Sequence, residues 1–105
     1  METAGLTVET ARNLARLAET DRERINTLGR SAGSALRVQQ VMLEQPLVSP
    51  GQLAEKTGLS PATVNSVLLR LEQLGMVTEI SGQQRNRLYS YTAYIHLMNQ
   101  GTDAA

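Results

Sequence analysis

The segment from Ser49 to Gly75 leaves this chain the least freedom, because it carries the same helix-start signal twice, each time closed by a glycine. Ser49-Pro50 places a capping hydroxyl before a proline at the first helical position, where the missing N–H costs nothing. Gln52, three residues on, completes a capping-box pattern. This helix stops at Gly58, and Ser60-Pro61 then starts another, with Thr63 three residues after the cap. The second helix carries Val64, Val67, Leu68, Leu71 and Leu74 on one stripe and stops at Gly75. Two short helices joined by a glycine turn form a helix-turn-helix. Small Ala54 lets the helices cross closely, Gly58 takes a left-handed conformation, and Leu59 fills the angle between them.

After Gly75 the period changes. Met76, Thr78 and Ile80 alternate with Val77 and Glu79, which predicts a strand. Ser81-Gly82 and a polar run through Arg87 predict a loop, and Leu88 to Tyr91 a second strand. A hairpin directly behind the second helix adds a wing. Thr92 is placed to cap a final helix bearing Tyr94, Ile95, Leu97 and Met98 and ended by Gly101, with 102–105 expected to be a disordered tail.

Upstream, Thr7 to Leu28 predicts an amphipathic helix on Ala11, Leu14, Ala15, Ala18, Ile25 and Leu28, its stripe interrupted at Asp21 and Arg22. Gly29 to Ser34 reads as a joint of small residues in which Ser31 or Ser34 caps the next helix. That helix carries Leu36, Val38, Val41, Met42 and Leu43 and runs to about Gln45, where Pro46 ends it. The expected fold is mainly α with a small β-hairpin, a winged helix-turn-helix preceded by one or two N-terminal helices. Its expected divisions are an N-terminal helix and connector over 1–34, the winged helix over 35–101 and the tail.

A chain of 105 residues holds one modest core. With no Trp, no Phe and three Tyr, that core must be aliphatic. Ten basic residues balance ten acidic ones, five against five on each side of residue 35. Such neutrality counts against tight non-specific DNA binding, which comes mostly from neutralising phosphates. Cysteine is absent and His96 is the single histidine, which leaves no thiolate site and no metal or catalytic constellation. No Gly-rich phosphate loop follows a strand. With no signal peptide and no apolar run near the roughly 18 residues of a membrane span, the expectation is a cytoplasmic protein without enzymatic activity or cofactor, making no membrane contact.

The helix-turn-helix geometry turns Ser60, Ala62, Thr63, Asn65, Ser66 and Arg70 away from the core. Helices of this kind enter the major groove by their N-terminal residues. Asn65 can bond an adenine edge bidentately, Thr63 and Ser66 can reach bases or phosphates, and Arg70 can reach a phosphate. On the wing, Arg85 and Arg87 lie two apart and project to one side, with Asn86 between them, and Lys56 offers one more phosphate contact. Double-stranded DNA is thus the expected partner. The same residues also suit a plain solvated surface, and a winged helix can serve protein contacts alone. In that alternative, Leu14, Ala18 and Ile25 pair with another copy or another domain, and the exposed Leu69 marks a contact. A free-standing regulator of the MarR or ArsR kind is a further alternative and predicts a homodimer.

The stretches Ser60-Pro61-Ala62-Thr63-Val64-Asn65, Leu71-Glu72-Gln73-Leu74-Gly75-Met76-Val77, Gly82-Gln83-Gln84-Arg85-Asn86-Arg87-Leu88-Tyr89 and Tyr94-Ile95-His96-Leu97-Met98 resemble the C-terminal winged helix of bacterial Fic-family proteins. The resemblance covers roughly residues 20–100. Fic proteins transfer AMP to protein hydroxyls with a His-Pro-Phe-type loop and a Gly-Asn-Gly segment, and this chain has neither. What the resemblance implies is an accessory domain of a larger Fic-like protein, contacting its catalytic domain through Leu14, Ala18 and Ile25, with no catalytic residue in this chain. Gln83 and Gln84 stand where basic residues are common in that family's wing.

Overall fold

A computed structural model describes residues 8–102. The order is α1 (Val8–Ile25), a 3-10 segment (Asn26–Ser31), α2 (Ala32–Glu44), β1 (Leu47–Val48), α3 (Pro50–Thr57), α4 (Pro61–Gln73), β2 (Thr78–Glu79), β3 (Tyr89–Ser90) and α5 (Thr92–Thr102). Thr7 and residues 103–105, part of the expected first helix and of the expected tail, lie outside the described residues. Thr102 itself belongs to α5, so the last helix runs past Gly101.

Local chemistry accounts for the central pair of helices. Ser49 accepts from the Gln52 amide at 3.2 Å while its own N–H donates to Gln52 Oε1 at 3.0 Å, a complete capping box contributing about 1 kcal/mol. Ser60 accepts from the Thr63 amide at 3.2 Å. Between the helices Gly58 sits at φ 78°, ψ 6°, a left-handed conformation that strains any residue carrying a Cβ. Thr57 Oγ1 donates to the Leu53 carbonyl and accepts from the Leu59 amide, which sets the exit of the turn.

The hydrophobic stripe of α4, comprising Val64, Val67, Leu68 and Leu71, packs with Leu53 of α3 and with Ala35, Val38 and Met42 of α2. Ile25, Val48, Met76, Val77, Tyr89 and Tyr91 complete the same cluster, and Ala54, Leu59 and Leu74 lie against it. Each buried aliphatic side chain of this kind contributes about 1.5–3 kcal/mol of transfer free energy.

Five further expectations require correction. The sheet has three strands in the order β1-β3-β2, both pairs antiparallel, with Leu47 opposite Ser90 and Thr78 opposite the same Ser90. Its extra strand lies between two prolines and is too short to show any alternation. Met76 and Val77 do not fall on opposite faces. Both are buried in the turn that leaves α4, ahead of the two residues that pair. The first helix ends at Ile25, and Gly29, at φ 68°, ψ −122°, breaks the 3-10 segment that follows. Ser31 takes the N-cap position of α2, but its side chain makes no capping bond.

The fifth correction concerns α1. Leu14 is 7% exposed and Ile25 0%, both covered by this chain, and the Ala18 carbonyl accepts a hydrogen bond from Gln39 Nε2 at 3.0 Å. α1 packs on α2 and α5, so Leu14 and Ile25 are covered within this chain, Ala18 is half-buried, and Ala11 and Ala15 of the expected stripe are exposed. Asp21, which interrupts that stripe in sequence, is 3% exposed and accepts from the Tyr91 hydroxyl at 2.7 Å. Tyr91 in turn accepts from Gln39 Nε2 at 3.2 Å. Arg24 pairs with Asp21 at 3.5 Å and also donates to the Leu74 carbonyl at the end of α4, where the helix dipole favours a cation. The arrangement is a winged helix-turn-helix braced from behind by α1 and α5.

Candidate nucleic-acid interface

Because Val64, Val67, Leu68 and Leu71 bind α4 to the core, the opposite side of that helix has to face solvent. Ala62, Asn65, Ser66 and Arg70 are exposed there, with Leu69, 55% exposed, among them. Ser60 is exposed as well, yet its hydroxyl is engaged locally: it accepts from the Thr63 amide and donates to Thr63 Oγ1 at 3.0 Å. Thr63 is half-buried beside it.

A single carboxylate shapes the start of the wing. Glu79 accepts from the amides of Ser81 at 3.0 Å and Gly82 at 2.9 Å and from the Ser81 hydroxyl. Those bonds, led by the one from the Ser81 side chain and helped by the charge of Arg87, hold the Glu79 carboxyl below its ordinary range. Ser81 Oγ also accepts from the Leu88 amide at 3.2 Å, which ties the two sides of the loop together. Near the tip Asn86 takes φ 53°, and Arg87 Nε donates to the Gln83 carbonyl at 3.1 Å.

Wing and helix converge on an open cleft of about 440 Å³ lined by Ser49, Pro50 and Gly51 at the start of α3, Asn65 of α4, and Gln84, Asn86 and Arg87. Asn65, Asn86 and Arg87 are therefore brought together from elements more than 20 residues apart. Arg85 is exposed but outside that lining. The left-handed backbone at Asn86 breaks the two-residue alternation that would have set both arginines on one side. Lys56 is not brought there either. It lines one depression of about 450 Å³ with Val41, Glu44 and Gln45 and a smaller one with Arg37 and Gln40, and so borders α2.

A second depression, about 290 Å³, lies along the other flank of α4, lined by Ala62, Thr63, Ser66 and Val67 and by Arg30, Ser31 and Ser34. Sequence reading misses Arg30 because it sits in a run of small residues that reads only as a joint. It equally misses Ser49 to Gly51, whose helix-starting role hides their place at the cleft. Among the described residues no cluster of three His, Asp or Glu side chains could hold a metal ion, and no helix is long and apolar enough to cross a membrane.

Residues 36–78 match the family model described as winged helix-turn-helix DNA-binding. The matched segment runs from α2 through the first residue of β2. It contains Asn65 and the whole exposed face of α4, while the wing tip, α1 and α5 lie outside it. Among solved structures the chain is similar to the crystal structure of NadR in complex with 4-hydroxyphenylacetate, with a TM-score of 0.49 and 17% identity, over 99% of this chain and 82% of that one. A comparison with curated proteins finds no match. None of these findings ties the chain to the Fic family.

Proposed function

We propose that this chain binds double-stranded DNA, with the N-terminal half of α4 in the major groove and the wing on the adjoining backbone. The observation that carries the reading is the convergence of Asn65, Asn86 and Arg87 on one open cleft beside an exposed helix face that also presents Ser66 and Arg70. The family description of residues 36–78 supports it. In this arrangement Asn65 offers its amide to an adenine edge, Ala62 its methyl group to a thymine methyl, and Ser66 its hydroxyl to a base or phosphate. Arg70 and Arg87 meet phosphates, and Arg85 meets the backbone beyond the cleft. The reading concerns this face alone, and it holds equally for a free-standing regulator and for an accessory domain of a larger protein.

With ten basic and ten acidic residues the chain has no general attraction for polyanions, so affinity rests on these few local arginines. Fluorescence anisotropy on a mixed-sequence duplex tests the reading. Binding at low salt is expected, with log K falling linearly against log salt at a slope of about −3 for three or four phosphate contacts. Absence of binding at low salt, or binding indifferent to salt, would overturn it. On a selected site, Asn65→Ala should cost about 1–3 kcal/mol and relax the preference at one base pair.

A further inference from the structure

Arg30 sits on the connector between α1 and α2, far in sequence from the helix-turn-helix, yet it lines the same depression as Ala62, Thr63 and Ser66 on the flank of α4. Arg30 is exposed, and among the described residues no carboxylate pairs with it. We propose that Arg30 is a second backbone clamp of the interface, gripping a phosphate on the side of α4 opposite the wing. The inference rests on the DNA-binding reading above.

An α-helix with its side chains is about 10–12 Å across, and the major groove is about 12 Å wide, so a helix lying in the groove has a phosphate ridge along each flank. Successive residues of a helix are turned by about 100°. Asn65 and Ser66 therefore look toward different flanks, and they line different depressions, Asn65 with Arg87 and Ser66 with Arg30. Each flank thus has an arginine beside it, Arg87 on one and Arg30 on the other, supplied from outside the helix. A group seated in that depression has Thr63, Ser66 and Arg30 among its neighbours. A guanidinium presents several N–H donors in a fork matched to phosphate oxygens, and its charge persists at every working pH.

The test compares wild type with Arg30→Lys, Arg30→Ala and Arg30→Glu in anisotropy titrations on the same duplex at several salt concentrations, with circular dichroism checking that each variant keeps its helical content. Arg30→Ala should weaken binding about three- to tenfold at low salt and reduce the magnitude of the salt slope by about 0.9, the loss of one phosphate contact. Arg30→Lys should keep the slope, and Arg30→Glu should weaken binding further than alanine. Unchanged affinity and slope in Arg30→Ala would overturn the clamp and leave the DNA reading standing, as would a lysine variant as weak as the alanine one. A wild-type chain that does not bind would overturn both.

Discussion

Two carboxylates organise two regions of this molecule, and the contrast between them separates what holds the fold from what shapes the interface. Asp21, on α1, is 3% exposed and meets the Tyr91 hydroxyl and Arg24. Glu79, on β2, lies at the base of the wing and is satisfied by Ser81 and Gly82, its neighbours two and three residues on. The first joins residues 70 apart in sequence and lies where water cannot replace a lost partner. The second closes a local turn in reach of solvent. Similar hydrogen bonds consequently do different things: burial makes a lost partner in the Asp21 network costly to the fold, whereas the Glu79 cluster shapes a local turn.

Removing the buried carboxylate should have the largest effect. Asp21→Ala leaves the Tyr91 hydroxyl without its acceptor and Arg24 without its counter-ion, and should lower unfolding free energy by about 2–3 kcal/mol in urea titrations. A loss under about 0.5 kcal/mol would show that the burial does not isolate the pair. Tyr91→Phe comes next, at about 1–2 kcal/mol near neutral pH, since it removes the hydroxyl while keeping the ring that stacks on Tyr94 at 5.3 Å.

The same tyrosine gives the region an alkaline signature. Burial first, and then the bond to Asp21, push the Tyr91 hydroxyl well above its ordinary value of 10.0. The folded state therefore favours the protonated phenol. That stabilisation is complete below pH 10 and is lost as pH rises above it. Wild type should lose stability above pH 10 more steeply than Tyr91→Phe, and parallel curves would refute the assignment.

Glu79→Gln should have the smallest effect on the fold. The thermal midpoint should stay with wild type, while amide exchange at Ser81 and Gly82 accelerates and affinity for DNA falls through a less ordered wing. Because the Glu79 carboxyl is held low, its contribution is present above pH 4.5 and is lost as the pH drops below that value. Acid should therefore loosen those two amides in wild type and leave the glutamine variant unmoved.

The same division explains what could be read from sequence. The helix-turn-helix was legible because its signals are local: a Ser-Pro cap acts on the next three residues, and Gly58 marks a left-handed turn wherever it stands. Exposed Asn65 and Ser66 followed from the stripe opposite them. By contrast, Asp21 reads as a flaw in an apolar stripe because its partner Tyr91 is remote, and Leu14 and Ile25 read as a free contact surface because α5 and the core that cover them are remote too. β1 is a strand only by virtue of β3. Arg30 and Arg87 each gain their meaning from α4, and neither shares its element.

One feature of the sheet bears on how such a surface would meet a duplex. β3, the return strand of the wing, lies between β2 and β1, and the Tyr91 amide donates to the Pro46 carbonyl just ahead of β1. The wing is thereby fastened to the residues that lead into α3 as well as to those that leave α4. Its opening against the recognition helix is set like the jaws of a calliper. A calliper measures before it reads letters: on the proposed DNA-binding reading, a duplex whose groove and ridge fit the gap undeformed would be favoured over one that must be bent to fit, and base sequence would be felt at positions that no side chain touches.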